Sequence, residues 1–163
     1  MANPAINVLF VCTGNICRSP SAEGVFLKAV ETEDLGNRVA ASSAGLIRWH
    51  VGEPPDPRSQ VAASQRGIDI AGQRARRVAK RDFRDFDYIV AMDRGHLDEL
   101  ERMCPAGERE RVHLMLDFAE SSEGDVPDPY YGGDDGFEIV LDLLEDASRG
   151  LLAHIRKRHF EGA

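Results

Sequence analysis

Cys12 and Arg18 lie at either side of one short segment, Cys12-Thr13-Gly14-Asn15-Ile16-Cys17-Arg18-Ser19-Pro20. A thiol attacks only as its thiolate, which a nearby cation and a helix N-terminus both favour. The same two features bind tetrahedral oxyanions, because backbone N–H groups and a guanidinium fork converge on them. The nonapeptide therefore offers an attacking group together with a seat for the species attacked. The amides of Thr13 to Ser19 can curl around a central anion as a nest, and Arg18 can hold two oxygens of a phosphate. Gly14 permits the close turn, and Asn15 tolerates a left-handed backbone. Ser19 can donate a hydrogen bond to the Cys12 sulfur. A lone cysteine beside a strand is ordinarily inert packing, but here arginine, glycine and helix start are all in position.

A thiolate attacking phosphorus needs a leaving oxygen that becomes protonated, which calls for a carboxylic acid elsewhere. With 28 acidic residues, composition alone does not choose one. Pro127-Asp128-Pro129-Tyr130-Tyr131 is the best candidate, since two prolines restrict the backbone around Asp128 and aromatics follow at once. Asp56-Pro57 reads as a plain turn. Cys12 and Cys17 do not suggest a metal, because zinc sites use four ligands and no second Cys/His pair has suitable spacing.

The elements that must position these residues alternate. Ile6 to Val11 is a nearly continuous apolar run, as in a strand buried on both faces. Ser19 reads as an N-cap and Pro20 as a first-turn residue of a helix over Ala22 to Val30. A second strand covers Arg38 to Ala41 and ends at Ser42-Ser43-Ala44-Gly45. Trp49 to Arg58 is a Gly/Pro-rich loop, and Ser59 to Arg66 a helix closed by Gly67. Tyr88 to Ala91 is a strand, followed by Met92-Asp93 and a polar helix from Gly95 to Met103. Val112 to Met115 is a fourth strand, Glu120 to Gly136 an acidic surface loop, and Phe137 to His159 a C-terminal helix with apolar residues at helical spacing. Such alternation implies a parallel sheet covered on both faces, with ligands beyond the strand C-termini, where the Cys12 segment lies.

The 163 residues are read as one domain, 1–163, long enough to bury a core without disulfides or metal. A net charge of −8 argues against nonspecific nucleic-acid binding, which needs surplus Lys and Arg, but not against an anionic substrate at one small basic site. No apolar stretch approaches the ~20 residues of a membrane span, so no membrane insertion is expected. The first residues lack the pattern of a signal peptide, and three cysteines, two of them in one loop, fit a reducing compartment. The expected location is the cytoplasm. The basic cluster Arg74, Arg76, Arg77, Lys80 and Arg81 reads as a solvated face, with attraction of an acidic protein substrate as the alternative.

These segments together resemble the low-molecular-weight protein tyrosine phosphatases. The likeness rests on Val11 to Pro20, Ser43-Ala44-Gly45, Trp49 with Val51-Gly52, Asp56-Pro57-Arg58, Phe86-Asp87-Tyr88 with Met92-Asp93, and Asp128-Pro129-Tyr130-Tyr131-Gly132. It runs in order from Ile6 to Ile155. The resemblance implies a flavodoxin-like three-layer sandwich, with a central four-stranded parallel sheet and helices on both faces, and a two-step reaction without cofactor. Cys12 would form a phosphocysteine while Arg18 and the amides of Thr13, Gly14, Asn15, Ile16, Cys17 and Ser19 bind the phosphate. Asp128 would serve as acid and then base. Asn15 and Ser19 match residues that order the loop and assist thiolate departure. Ser43 matches a supporting position, and Asp93 one that helps to fix the arginine. Trp49, Tyr130 and Tyr131 match pocket walls, which favour an aryl phosphate. Cys17 matches a thiol that guards the nucleophile by a reversible disulfide.

One departure stands out: Gln73 occupies a place where many relatives carry a histidine linked to the loop serine and asparagine. Glutamine can replace the hydrogen bond but cannot titrate. The implied partner is a phosphotyrosine-containing protein or a small aryl phosphate, handled by a monomer or a weakly self-associating chain. Thiol-dependent arsenate reduction is the nearest rival, but only Cys104 remains as a relay thiol. A non-catalytic phosphotyrosine-binding module is disfavoured by the presence of Cys12, Arg18 and Asp128 together. A Cys12–Cys17 redox sensor is compatible with the phosphatase reading.

Overall fold

The computed structural model describes residues 5–131 and 135–161, Tyr131 by its backbone alone. Strands β1 (Ile6–Cys12), β2 (Val39–Gly45), β3 (Tyr88–Ala91) and β4 (Val112–Leu114) form a parallel sheet in the order β2-β1-β3-β4. Helices α1 (Arg18–Thr32), α2 (Pro57–Ser64), α3 (Asp82–Asp85), α4 (Arg94–Met103) and α5 (Asp135–Ile155) connect or cover them. Parallel neighbours need crossover connections, and these helices supply them.

The apolar run of β1 is divided between two cores by its two-residue period. Val8, Phe10 and Cys12 join Tyr88 and Val90 in packing on α1, α2 and α5. Leu9 and Val11 join Ile89 and Ala91 against Phe83 of α3 and Leu100 of α4. The result is the expected flavodoxin-like three-layer α/β arrangement. Phe10 meets Phe26 of α1 edge-on at 5.5 Å, and neither ring is exposed. Gly150 lets α5 lie against the 115–118 turn, because a Cβ there would stand 1.7 Å from the Phe118 carbonyl oxygen.

Several boundaries differ from expectation for local reasons. Ser19 is not the N-cap of α1: the helix begins at Arg18, after Cys17, without a side-chain cap. The Ser19 hydroxyl is taken by the Cys12 loop instead. β2 runs on through both serines to Gly45, in register with Cys12, since Ser43 finds a polar partner at the site. α2 starts at Pro57 because the Asp56 carboxylate accepts the Arg58 N–H at 2.9 Å, so Asp56-Pro57 is a helix cap rather than a plain turn. α5 spans Asp135–Ile155 and gives way to a wider π-helical turn over Arg156–Phe160. α3 is too short for a periodic pattern to announce it.

Candidate active site

β1 has β2 on one side and β3 on the other, so a crevice opens beyond their C-terminal ends where the strand order reverses. Cys12 is the last residue of β1 and Arg18 the first of α1, so the connecting loop is forced into that crevice. Asn15 takes the left-handed backbone its position requires, at φ 60°. Its N–H points at Cys12 Sγ over 3.3 Å, and Ser19 Oγ lies 3.0 Å from the same sulfur.

The loop is braced from behind. Asn15 Nδ2 donates to Ser19 Oγ at 2.8 Å and to Ser43 Oγ at 2.9 Å, and Asn15 Oδ1 accepts from the Arg76 N–H at 3.0 Å. Ser43 Oγ donates to Gln73 Oε1 at 3.3 Å, and Gln73 Nε2 donates to the Pro20 carbonyl at 3.0 Å. Gln73, which does not itself titrate, thus closes this side of the network. Glu23 stands behind Ser43; burial raises its carboxyl more than the Ser43 hydroxyl and Arg76 lower it. Gly45 must lack a side chain, since a Cβ there would lie 2.9 Å from the Thr13 carbonyl oxygen.

Arg18 is held on several sides although only 6% of its side chain is exposed. Its Nη1 donates to Asp93 Oδ2 at 2.8 Å and to the Val126 carbonyl at 3.1 Å. Asp93 caps α4 by accepting the His96 N–H at 2.8 Å. Burial pushes the Asp93 carboxyl up, but that N–H, His96 and the Arg18 guanidinium outweigh it and hold the group below the usual range.

His96 escaped the sequence reading. Its Nε2 lies 2.7 Å from Thr13 Oγ1 and 3.4 Å from Arg18 Nη2, and its Nδ1 is 3.3 Å from Asp93 Oδ1. Arginine only donates, so its contact makes Nε2 the acceptor and leaves the ring proton on Nδ1, a buried atom without a hydrogen-bond partner among the described residues. Burial, with Arg18 beside the ring, pushes His96 down to about 4. The only sequence signal was its place three residues after a capping aspartate.

The acid segment is built onto β3 and α4. The Val126 N–H donates to the Met92 carbonyl at 2.9 Å, and the Arg94 N–H donates to Asp125 Oδ1 at 3.0 Å. Asp128 Oδ1 accepts the Tyr130 N–H at 3.0 Å, while Oδ2 stands 3.7 Å from Arg18 Nη2. Arg58 ties this segment to α2: it pairs with Asp56 at 3.0 Å and donates to the Tyr130 carbonyl at 3.2 Å. Its guanidinium also lies over the Tyr130 and Phe137 rings.

One cleft is lined by Cys12, Thr13, Gly14, Ile16, Cys17, Arg18, Ile47, His50, Asp128 and Tyr130, with Cys12, Cys17 and Arg18 buried and Thr13, Asp128 and Tyr130 exposed. Trp49 is not among the lining residues and is 84% exposed. The turn closed by the Val51 N–H on the Arg48 carbonyl aims His50 inward and Trp49 outward, so Ile47 and His50 stand where Trp49 was expected. The Tyr131 side chain lies outside the described residues. Cys17 is buried beside the loop, and that burial pushes its thiol up to about 12.

A family model described as low molecular weight phosphotyrosine protein phosphatase matches residues 7–160. A low molecular weight protein-tyrosine-phosphatase of Streptomyces coelicolor is 47% identical over 156 residues, covering 93% of this chain and 94% of that one. A Bacillus subtilis protein of the same description is 42% identical over 153 residues, covering 93% and 97%. Among solved structures, a protein tyrosine phosphatase of Entamoeba histolytica with Hepes in its active site superposes with a TM-score of 0.92 at 39% identity, covering 94% of this chain and 99% of that one.

Proposed function

The chain belongs to the low molecular weight phosphotyrosine protein phosphatase family, and on that premise we propose that it hydrolyses aryl phosphate monoesters through a phosphocysteine on Cys12. One observation carries this reading: a buried sulfur facing the Ser19 hydroxyl and the Asn15 N–H lines the same cleft as a guanidinium that stands 3.7 Å from a carboxylate.

The Cys12 thiolate attacks phosphorus as the bond to the aryl oxygen breaks. Arg18 and the loop amides take the charge of the equatorial oxygens. The proton on Asp128 passes to the departing phenolate. Water then attacks the phosphocysteine, Asp128 accepts its proton, the S–P bond breaks, and phosphate leaves. Ser19 Oγ supports the returning thiolate. Asp93 and His96 act as positioning residues that hold Arg18 and the Thr13 end of the loop. Cys12 is 3% exposed and Tyr130 41% exposed among the residues lining the cleft, an arrangement that suits a long, flat phosphotyrosine side chain better than a shorter phosphoserine.

Cys17 completes the reading as a redox guard. Burial disfavours its thiolate, so Cys12 rather than Cys17 attacks substrate, and Cys17 gives up its proton only as it reacts with an oxidised Cys12. When peroxide oxidises Cys12 to the sulfenic acid, the Cys17 sulfur attacks it, a disulfide forms and water leaves. Among the described residues, no helix is long and apolar enough to cross a membrane.

The test is hydrolysis of phenyl phosphate by wild type, Cys12→Ser and Asp128→Ala. Cys12→Ser is expected to be inactive, and full activity in it would end the covalent mechanism. Arsenate reduction with thioredoxin, assayed in parallel, is expected to be absent. Peroxide inactivation is expected to be reversed by dithiothreitol in wild type but not in Cys17→Ser; equal recovery in both would remove the guard role.

A further inference from the structure

Residues 74–81 hold Arg74, Arg76, Arg77, Lys80 and Arg81 and no acid, in a chain of net charge −8. The backbone of this strip is stitched to the nucleophile loop. The Arg76 N–H donates to Asn15 Oδ1 at 3.0 Å. Gly45 donates to the Arg76 carbonyl at 2.8 Å and accepts from the Val78 N–H at 2.9 Å. Further out, the Gly52 N–H donates to the Ala75 carbonyl at 2.8 Å, and the Ala75 N–H donates to the Glu53 carbonyl at 2.9 Å. The strip is therefore the outer edge of the 45–53 rim that brings Ile47 and His50 to the cleft. Arg77 Nε donates to the Leu46 carbonyl at 3.3 Å, one residue before Ile47, and Arg48 follows on the same rim.

Elsewhere arginines 58, 66, 102, 111 and 156 hold carboxylates, while the exposed Arg84, Arg94, Arg109 and Arg158 are scattered singly and reach none among the described residues. On the strip only Arg76 holds one, at 3.0 Å from Asp82. Arg48, Arg74, Arg77, Lys80 and Arg81 are exposed, and none reaches a carboxylate among the described residues. Asp128 lines the same cleft.

We propose that this strip docks acidic residues flanking the phosphotyrosine of a peptide or protein substrate, with the ring in the cleft and the acidic flank over Arg48 and Arg77. The proposal rests on the phosphatase reading of the cleft. Charge complementarity selects this occupant, and proximity to the cleft makes recognition of the flank simultaneous with insertion of the ring. The chain's overall negative charge opposes it little, because distant charges are screened beyond about 8 Å at physiological ionic strength. Each exposed pair contributes roughly two- to fivefold in affinity, so two or three pairs give about tenfold.

The experiment compares kcat/KM for two phosphotyrosyl peptides of equal length, one flanked by Asp and Glu, the other by Asn and Gln. Wild type and Arg48→Gln/Arg77→Gln/Lys80→Gln are assayed at low and high salt, with phenyl phosphate as the flank-free control. Wild type is expected to prefer the acidic peptide about tenfold at low salt, through KM, with the preference shrinking as salt is added. The variant is expected to treat both peptides alike and to hydrolyse phenyl phosphate as wild type does. Equal efficiency on both peptides in wild type, or a preference that survives in the variant, would overturn the proposal. Sedimentation with anionic lipid vesicles that depends on the strip, in the absence of a peptide preference, would overturn it in favour of a membrane surface. Binding of both peptides to Cys12→Ser, followed by fluorescence anisotropy, tests docking without turnover. Failure of the phosphatase reading shows separately, as absent phenyl phosphate hydrolysis in wild type.

Discussion

The Cys12 loop and the Asp128 segment face each other across one cleft, yet they are held in opposite ways. In the loop, Asn15, Arg18 and Ser19 are 2%, 5% and 0% exposed, and the Asn15 side chain and N–H meet Cys12, Ser19, Ser43 and Arg76. Across the cleft, the Asp128 side chain is 41% exposed and accepts the Tyr130 N–H. Its segment is anchored through the Val126 and Tyr130 carbonyls, which accept from Arg18 and Arg58. The contrast follows the chemistry. A phosphate seat must be preorganised, and water in it would only weaken the field. A residue that gives and then takes a proton must meet both the substrate oxygen and water.

The largest effect is expected at the centre of the buried side. Arg18→Lys keeps the charge but loses the planar fork, and kcat/KM for phenyl phosphate is expected to fall by about 10³. A loss under tenfold in steady-state kinetics would mean that charge alone suffices. Asp128→Ala is expected to lose about 10²- to 10³-fold on phenyl phosphate and progressively less on esters with more acidic phenols. A loss that ignores leaving-group pKa would remove Asp128 as the acid.

Stability separates the two regions most clearly. Asn15→Ala strands buried partners and places alanine at φ 60°, which is expected to cost about 3 kcal/mol, or roughly 6–12 °C in Tm. Asp128→Ala is expected to shift Tm by no more than about 2 °C. Equal melting shifts by calorimetry would show that the two regions are held alike.

His96 adds a pH dependence to the buried side. Its folded-state value of about 4 lies below the 6.5 of an unfolded chain. Between those values the unfolded chain binds more protons, so stability is full at pH 7 and declines as pH falls through that window, by about 3 kcal/mol at pH 4. Urea unfolding of His96→Asn is expected to show a correspondingly flatter profile between pH 7 and 4, with activity reduced about tenfold at neutral pH. An unchanged profile would show that the ring does not stay neutral in the fold. The smallest effect is expected for Arg58→Gln, which loosens only the acid segment: about threefold in kcat with KM held.

The sequence made some of these features plain and hid others. Cys12, Arg18 and the strand–helix boundary around them were legible because nucleophile, cation and turn residues are contiguous. β1 and β3 were legible from apolar runs that a parallel sheet buries on both faces. β2 was cut short because Ser42 and Ser43 look like loop residues until the Asn15 amide is known to face Ser43. Ser19 read as a helix cap because one hydroxyl can serve either a backbone N–H or a sulfur, and only tertiary packing decides which. Trp49 was expected as a wall from the family resemblance, and an aromatic in a Gly/Pro-rich loop does not by itself reveal its direction. The link from Arg58, itself paired with Asp56, to Tyr130 joins positions 72 residues apart, beyond the reach of local pattern.

The covalent intermediate is tested directly by acid-quenched mass spectrometry during turnover of phenyl phosphate. Wild type, and more strongly Asp128→Ala with an activated aryl ester, is expected to show one phosphoryl group on the peptide containing Cys12. Steady turnover with that peptide unmodified, or turnover by Cys12→Ser at the wild-type rate, would contradict it.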